Sequence, residues 1–196
     1  MTPLAIFGAR HRILRAHVTV AGCALALCMA SAAPADGDTS GAKPTVVLVH
    51  GAFVDGSSWD GVIARLERSG YTVIAPANPL RGLYHDSTHI ASVLDGIKGP
   101  VVLVGHSYGG AVISSAAADK PQVTSLVYVS ALMPDVGESG ISLAARFPSE
   151  LGTATRSVPY RENGRSGTGL YLKHDKIHQV FAADLPGSEA NLLGVR

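Results

Sequence analysis

The chain has few cysteines, few aromatic side chains and few charges. Only two cysteines occur in 196 residues, aromatic residues make up 6% of the chain and charged residues 16%. A hydrophobic fraction of 46% with so little charge excludes an intrinsically disordered chain. A formal net charge of +1 offers no basic surface of the kind that nucleic-acid binding needs. The composition therefore predicts one ordinary globular domain with no nucleic-acid partner.

The first 35 residues have the pattern of an export signal. Three arginines lie near the start, residues 18–30 are almost all apolar, and small residues follow. Cleavage after Ala32 or after Ala35 fits the small residues there, and the second site would leave residues 36–44 as a polar linker. The apolar run is shorter than the ~20 residues that span a bilayer. We therefore expect a periplasmic or secreted protein with no stable membrane anchor after cleavage.

Both cysteines, Cys23 and Cys28, lie inside this predicted signal. A mature chain without them would have no disulfide, no thiol nucleophile and no thiolate zinc site. Loss of the three signal arginines would leave 13 basic and 15 acidic residues, a formal charge of −2, from the 16 and 15 of the full chain. This balance favours a small-molecule partner over a polyanion.

Short β-branched runs alternate with helical patterns between residues 45 and 130. The predicted strands are residues 45–49, 71–75, 101–104 and 123–130. The first predicted helix has Ser57 or Ser58 as its N-cap and stops at Gly70. The second begins at Asp86 or Ser87 and ends at Gly99-Pro100, and the third runs from Gly110 to Asp119. Alternation of this kind predicts an α/β fold with a doubly wound, mostly parallel sheet of about four strands and helices on both faces.

The pattern loosens after the fourth predicted strand. We assign residues 45–135 to the α/β core and residues 136–196 to a cap-like region with a partial helical character. Short helices are predicted at 175–183 and 188–193, and residues 161–169 have the composition of an exposed loop. No further buried strand is predicted in this region.

The strongest chemical motif follows the third predicted strand. Gly105, His106, Ser107, Tyr108 and Gly109 form a G-x-S-x-G sequence between a strand and an apolar helix. In that context the serine lies on a sharp turn at the top of the sheet, and the flanking glycines leave room for the neighbouring backbone. The helix N-terminus stabilises negative charge that develops there. We therefore predict that Ser107 is a nucleophile and that His106 is structural.

A second motif, beginning His50-Gly51-Ala52-Phe53, ends the first predicted strand. A serine that attacks a carbonyl group produces an oxyanion, which needs two backbone N–H donors. Tyr108 supplies one donor in this prediction, and Ala52 the other, with Phe53 as the alternative. Gly51 is the motif glycine of this loop, and His50 is interpreted as a packing residue that orients it.

The segment from Val46 to Asp135 is similar to the α/β-hydrolase fold superfamily. The stretches that carry the resemblance are VVLVHGAF, SSWDGVIARLERSGYTVIAP, VVLVGHSYGG and LVYVSALMPD. They are most similar to the branch of plant methylesterases, hydroxynitrile lyases and their bacterial relatives. The resemblance implies a Ser107 nucleophile, an oxyanion hole from Ala52 and Tyr108, and no metal or organic cofactor.

The same resemblance implies an acid and a histidine that come after the serine in the chain. Asp135, just past the fourth predicted strand, is the candidate acid, although it also fits a turn after proline. His174 and His178 are interpreted as a solvated helix face rather than as base or metal ligands. We therefore expect a chain truncated at its C-terminus, whose catalytic half is absent, and a fourth strand left as an apolar edge that favours self-association.

The function expected from these motifs is a serine hydrolase for small esters or related acyl compounds, impaired by the truncation. One alternative is a non-catalytic protein that binds a small ligand above Ser107. A second alternative is lyase or perhydrolase chemistry at the same serine. A base within hydrogen-bond reach of Ser107 would distinguish the first two hypotheses.

Overall fold

The computed structural model describes residue 41 and residues 43–194. The predicted signal and residues 36–40 and 42 of the predicted linker lie outside the described residues. Four strands form the central sheet, in the order β2-β1-β3-β4. They are β1 (Thr45–Val49), β2 (Val73–Ile74), β3 (Val101–His106) and β4 (Val123–Val129). Every pairing in this sheet is parallel, as the sequence predicted, and β2 is shorter than expected.

Helices cover both faces of the sheet. They are α1 (Asp60–Arg68), α2 (Leu83–Asp95) and α3 (Tyr108–Ala116). On one face, Val47 and Leu103 pack with Ile90 of α2 and Val112 of α3. On the other face, buried side chains of β1 and β3 pack with Trp59 and with partly buried residues of α1. This arrangement confirms the predicted doubly wound α/β core, because its strands are buried from two sides.

All three predicted helix starts in the core are shifted. A 3₁₀ turn over Gly56–Trp59 precedes α1, and its cap is Asp55, whose side chain accepts a hydrogen bond from the Ser57 N–H at 2.9 Å. The cap is therefore Asp55 and not a serine, since the 3₁₀ turn moves the start of the helical segment toward the N-terminus. Helix α2 begins at Leu83, before Asp86, which is buried within its first turns. Helix α3 begins at Tyr108, two residues before the predicted start.

The region after β4 contains a β-hairpin that the sequence reading missed. Strands β5 (Thr155–Glu162) and β6 (Arg165–Leu172) pair antiparallel across residues that we predicted to be a loop. The two turn residues are Asn163 and Gly164, with φ angles of 50° and 76°. An Asn-Gly pair with positive φ at both positions is the favoured connection of a two-residue hairpin. The cap-like region is therefore part hairpin and only part helical.

Short helices complete this region. They are α4 (Gly140–Arg146), α5 (Ile177–Val180) and α6 (Gly187–Leu193). Helices are predicted at 175–183 and 188–193, and the structure has a helix in each place with different ends. A 3₁₀ turn over His174–Lys176 precedes α5. Phe181, just after α5, contacts Phe53 of the core edge to face, with ring centroids 6.2 Å apart. This pair joins the cap-like region to the loop after β1.

Strand β4 pairs on one side only among the described residues, with β3. The register shifts between Val101 and Val102, so that β4 carries a bulge near its start. Leu126, Val127 and Val129 are 37–40% exposed although they lie in a strand beside the core. Within residues 43–194, no helix combines the length and the apolar character that a membrane crossing requires.

Candidate active site

Ser107 is the single residue between β3 and α3. Its φ of 52° and ψ of −122° place it in a strained backbone region that non-glycine residues rarely adopt. The Ser107 carbonyl accepts hydrogen bonds from the N–H groups of Gly110 at 3.0 Å and Leu132 at 2.9 Å, and the Ser107 N–H donates to the Val129 carbonyl at 3.3 Å. The turn is therefore held both by α3 and by the segment that follows β4.

The motif glycines allow backbones to meet around Ser107. A Cβ at Gly105 would lie 2.6 Å from the Gly109 carbonyl oxygen, and one at Gly109 would lie 2.5 Å from the Val49 carbonyl oxygen. A Cβ at Gly51 would lie 2.8 Å from the Ser107 Cβ, so the loop after β1 rests directly against the serine. Larger residues would push these elements apart, because such contacts involve backbone that has no room to move.

Gly110 belongs to the same cluster, and the sequence analysis did not single it out. A Cβ there would lie 2.5 Å from the Leu132 carbonyl oxygen and 2.6 Å from the Ala131 Cβ. The available signal was the Gly109-Gly110 pair that follows Ser107 at the sharp turn between β3 and α3, which we call the elbow. Gly110 allows the segment after β4 to approach this turn, and the motif alone does not reveal that contact.

The two predicted oxyanion donors belong to elements that meet at Ser107. Tyr108 is the first residue of α3, so its N–H has no acceptor within the helix. Ala52 follows Gly51 in the loop that touches Ser107, and Phe53 next to it has a φ of 68°. The predicted donor pair, Ala52 and Tyr108 with Phe53 as the alternative, remains a prediction.

His50 is buried and both of its ring nitrogens are hydrogen-bonded. Its Nε2 accepts from the Asn78 backbone N–H at 2.9 Å, and its Nδ1 lies 2.9 Å from the Gly51 carbonyl. Because a backbone N–H can only donate, the proton must sit on Nδ1, which donates to Gly51. The Asn78 side chain also donates to the His50 carbonyl at 3.1 Å. These bonds are those of a residue that orients the loop, and Asn78 is a partner that the sequence did not reveal.

His106 lies half-buried beside Trp59, with ring centroids 6.2 Å apart in an edge-to-face arrangement. Burial lowers the pKa of His106 below its usual 6.5, and the electrostatic effect of the nearby His50 ring lowers it further. The geometry agrees with the structural role that we predicted for this side chain.

Asp86 is fully buried behind the elbow, and the sequence analysis had read it as a helix start. Its carboxylate accepts a hydrogen bond from the Tyr108 hydroxyl at 2.8 Å. It also accepts from the backbone N–H groups of Arg81 at 2.9 Å and Gly82 at 3.3 Å. Burial, followed by this hydrogen bond, raises the pKa of the Tyr108 phenol. Asp86 therefore connects Tyr108, the residue after Ser107, with the loop before α2.

Asp135 is exposed in the loop after β4. Its carboxylate accepts from the Val136 N–H at 2.7 Å, and its own N–H donates to the Glu138 carboxylate at 2.9 Å. Both bonds are those of a turn. Its role as the catalytic acid stays a prediction, and the turn-forming alternative has the direct geometric support.

His174 and His178 lie in the cap-like region, where the His178 Nε2 lies 3.0 Å from the Leu185 carbonyl. Within residues 43–194, no side-chain base is hydrogen-bonded to the Ser107 hydroxyl. The same residues contain no group of three or more His, Cys, Asp or Glu side chains arranged to hold a metal ion.

Two cavities open between the core and the cap-like region. The arginine cavity, of about 270 Å³, is lined by Phe53 and Leu80 of the core and by Arg156 and Tyr171 of the hairpin, among others. The His106 cavity, of about 730 Å³, is lined by Phe181 and by His106, the residue before Ser107, among others. Both cavities lie beside the loop that carries Ala52.

The sequence profile of the alpha/beta hydrolase family matches residues 46–193. The chain belongs to this family. The match covers the parallel sheet, the elbow and the hairpin, and it confirms the family that the motifs predicted.

Curated relatives are esterase-like. The chain is 30% identical over 156 residues to a pyrethroid hydrolase from Sphingobium wenxiniae, covering 72% of this chain and 56% of that protein. It is 40% identical over 120 residues to a carbendazim hydrolyzing esterase from a Nocardioides species, covering 54% and 49%. It is 33% identical over 161 residues to salicylic acid-binding protein 2 of Nicotiana tabacum, covering 70% and 62%. The chain thus spans about half the length of the curated relatives it matches.

Solved structures share the fold. A crystal structure of a pyrethroid hydrolase superposes with a TM-score of 0.60 at 27% identity, covering 74% of this chain and 64% of that one. Polyneuridine aldehyde esterase superposes with a TM-score of 0.68 at 22% identity, covering 79% and 68%, and this likeness concerns the fold alone. The α/β class and the hydrolase family are therefore established together.

Proposed function

We propose that this chain is a serine hydrolase that acts on small esters or related acyl compounds through an acyl-enzyme on Ser107. The observation that carries the proposal is the backbone of Ser107, with φ 52° and ψ −122°, at the carboxyl end of β3 and the N-terminus of α3. A serine in this conformation presents its hydroxyl at the top of the sheet, where the helix N-terminus favours negative charge. The esterase-like relatives support the reaction class.

In the proposed reaction, the Ser107 Oγ attacks the carbonyl carbon of the ester. A C–O bond forms while the carbonyl electrons move to oxygen, and the N–H groups of Ala52 and Tyr108 bind the resulting oxyanion. The intermediate then breaks its bond to the alcohol, which leaves with the proton given up by Ser107. Water attacks the acyl-enzyme in the same way and releases the acid.

Proton transfer in this scheme requires a base within hydrogen-bond reach of the Ser107 Oγ. Asp135 is the candidate acid, whereas His174 and His178, interpreted as a solvated helix face, are not assigned as the base. An elbow and an oxyanion hole that act without a base retain about 10³–10⁴-fold of catalysis over water. We therefore propose weak turnover for the chain taken alone.

The second candidate function is a non-catalytic protein that binds a small ligand beside Ser107. It is favoured by the Ser107 hydroxyl, which has no side-chain base as a hydrogen-bond partner among residues 43–194. Such a protein would keep the elbow as architecture while the serine stays unreactive.

A fluorophosphonate probe separates these two functions. Reaction forms a bond from the Ser107 Oγ to phosphorus, breaks the P–F bond and releases fluoride, while the hydroxyl proton passes to base or solvent. Labelling at Ser107 with slow turnover of 4-nitrophenyl acetate would support the hydrolase. The Ser107→Ala variant should lose both, and Ser115→Ala, an exposed serine of the same helix, should lose neither. No labelling of a folded chain would favour the binding protein.

We also propose that the protein is exported, from the arginines and the apolar run that precede Ala35. N-terminal sequencing of the chain recovered from the periplasm or the medium should begin after Ala32 or Ala35. An unprocessed chain retained in the cytoplasm would contradict this proposal.

A further inference from the structure

The arginine cavity contains charge of one sign. Among its lining residues, the charged ones are Arg81 and Arg156, and the remaining wall is largely apolar, with Phe53, Leu80 and Leu170 among its members. Its volume of about 270 Å³ equals that of about nine water molecules in the liquid. A cavity of this size accepts one arm of a small molecule and not a whole drug-sized ligand.

The guanidinium of Arg156 is not neutralised by an ion pair. It lies over the ring of Tyr171, its cross-strand neighbour in the hairpin, 5.3 Å from the centroid, in a cation–π contact. In the part of the chain that the structure describes, no carboxylate lies within ion-pair distance of it. Arg81 has one partner, the Glu162 carboxylate at 3.6 Å, and both of these side chains are about half exposed. The cavity therefore presents a guanidinium with free N–H donors beside apolar surface.

The neighbouring His106 cavity has the opposite balance. Its lining includes the carboxylates of Asp60, Asp184 and Glu189 against the single guanidinium of Arg65, whose Nη1 donates to the Gly61 carbonyl at 2.7 Å. An anionic group that approaches the loop carrying Ala52 is therefore attracted to the arginine cavity and repelled from the other.

We propose that the arginine cavity binds a carboxylate on an apolar arm of the substrate, with Arg156 as the group that recognises it. Guanidinium N–H donors match a carboxylate in pairs, while the apolar walls bury the body of the arm. For the substrate, this inference rests on the proposed function. The ester would carry an anionic group at the end remote from the carbonyl that Ser107 attacks.

A matched pair of ligands tests the cavity without catalysis. The probes are 4-phenylbutyrate and its neutral isostere 4-phenylbutanamide, titrated into the ¹⁵N-labelled chain while amide shifts are followed. We expect the acid to bind at least about fivefold more tightly than the amide at low salt, with shifts centred on Arg81, Gly169 and Tyr171. The Arg156→Gln variant should abolish this preference, and Arg156→Lys should keep part of it. Arg65→Gln, with the same charge change in the other cavity, should leave it unchanged.

Equal binding of acid and amide, shifts located elsewhere, absence of binding, or a preference that survives in Arg156→Gln would each overturn the proposal. Failure of the proposed hydrolase is a separate outcome, read from fluorophosphonate labelling. A chain that binds 4-phenylbutyrate through Arg156 but leaves Ser107 unlabelled would be a binding protein for carboxylates. A chain labelled at Ser107 without any preference for the acid would be a hydrolase of a different specificity.

Discussion

Replacement of Asp86 by alanine should destabilise the fold by about 3 kcal/mol. The side chain is fully buried, and its carboxylate accepts hydrogen bonds from the Tyr108 hydroxyl at 2.8 Å, the Arg81 N–H at 2.9 Å and the Gly82 N–H at 3.3 Å. All three donors lose their acceptor in the Asp86→Ala variant. The loop before α2 would keep the hydrogen bond from the N–H of residue 86 to the Gly82 carbonyl, at 2.9 Å, but it would lose its side-chain link to Tyr108.

The magnitude follows from the individual bonds. A buried donor left without its acceptor costs about 1–3 kcal/mol, so the two short bonds contribute about 2 kcal/mol each and the long Gly82 bond adds less. Removal of a buried charge returns part of its desolvation cost, which lowers the total to about 3 kcal/mol. The Tyr108→Phe variant removes one bond, leaves Asp86 with its two backbone donors, and should cost about 1–2 kcal/mol.

Urea unfolding followed by tryptophan fluorescence measures these values. Trp59 is the one tryptophan of the chain and is 6% exposed, so its emission reports loss of the core. Asp95→Ala is the matched control, because Asp95 lies in the same helix, has a 63% exposed side chain and pairs at the surface with Lys120. It should cost less than about 1 kcal/mol. An Asp86→Ala loss within about 0.5 kcal/mol of the Asp95→Ala loss would refute the reasoning.

Two further predictions concern pH and association. Burial lowers the pKa of His106, so the unfolded chain binds a proton at this residue at higher pH than the folded chain does. Above pH 6.5 this residue therefore does not reduce the free energy of unfolding. As the pH drops from 6.5 toward the folded pKa, the free energy of unfolding falls. In urea titrations, the His106→Gln variant should lose less of its free energy of unfolding over this pH range than the parent chain, whereas the variant of the exposed His89, His89→Gln, should lose as much as the parent. An equal loss in the two variants would contradict the assignment to His106. On the sheet edge, Val127→Lys should reduce self-association in light scattering, since a charge on an edge strand opposes pairing with a second copy. Val136→Lys, at a fully exposed loop position, is the control and should leave self-association unchanged. A monomeric parent chain would contradict the expected self-association.

The sheet could be predicted because its strands are buried on both faces. Residues 46–49 are a continuous apolar run in the sequence, and the structure buries all four of these side chains. The hairpin could not be found in the same way, since most side chains of β5 and β6 are exposed and their sequences lack an apolar alternation. Asn163-Gly164 was the one local signal, and it specifies the turn without specifying what its strands pack against.

The residues that form the elbow are close together in the sequence, whereas the residues that support it are far apart. Gly105, Ser107 and Gly109 lie within five residues, so a local motif is enough to predict the turn and the close backbone contacts that the structure contains. The residues that hold this turn come from elsewhere: Asp86 is 22 residues from its Tyr108 partner, and Asn78 is 28 residues from His50. No spacing rule links such pairs, because they meet only when α2 packs on α3 and the segment after β2 reaches the end of β1. A single sequence can therefore identify a strained serine turn, whereas the buried groups that support this turn become visible only in three dimensions.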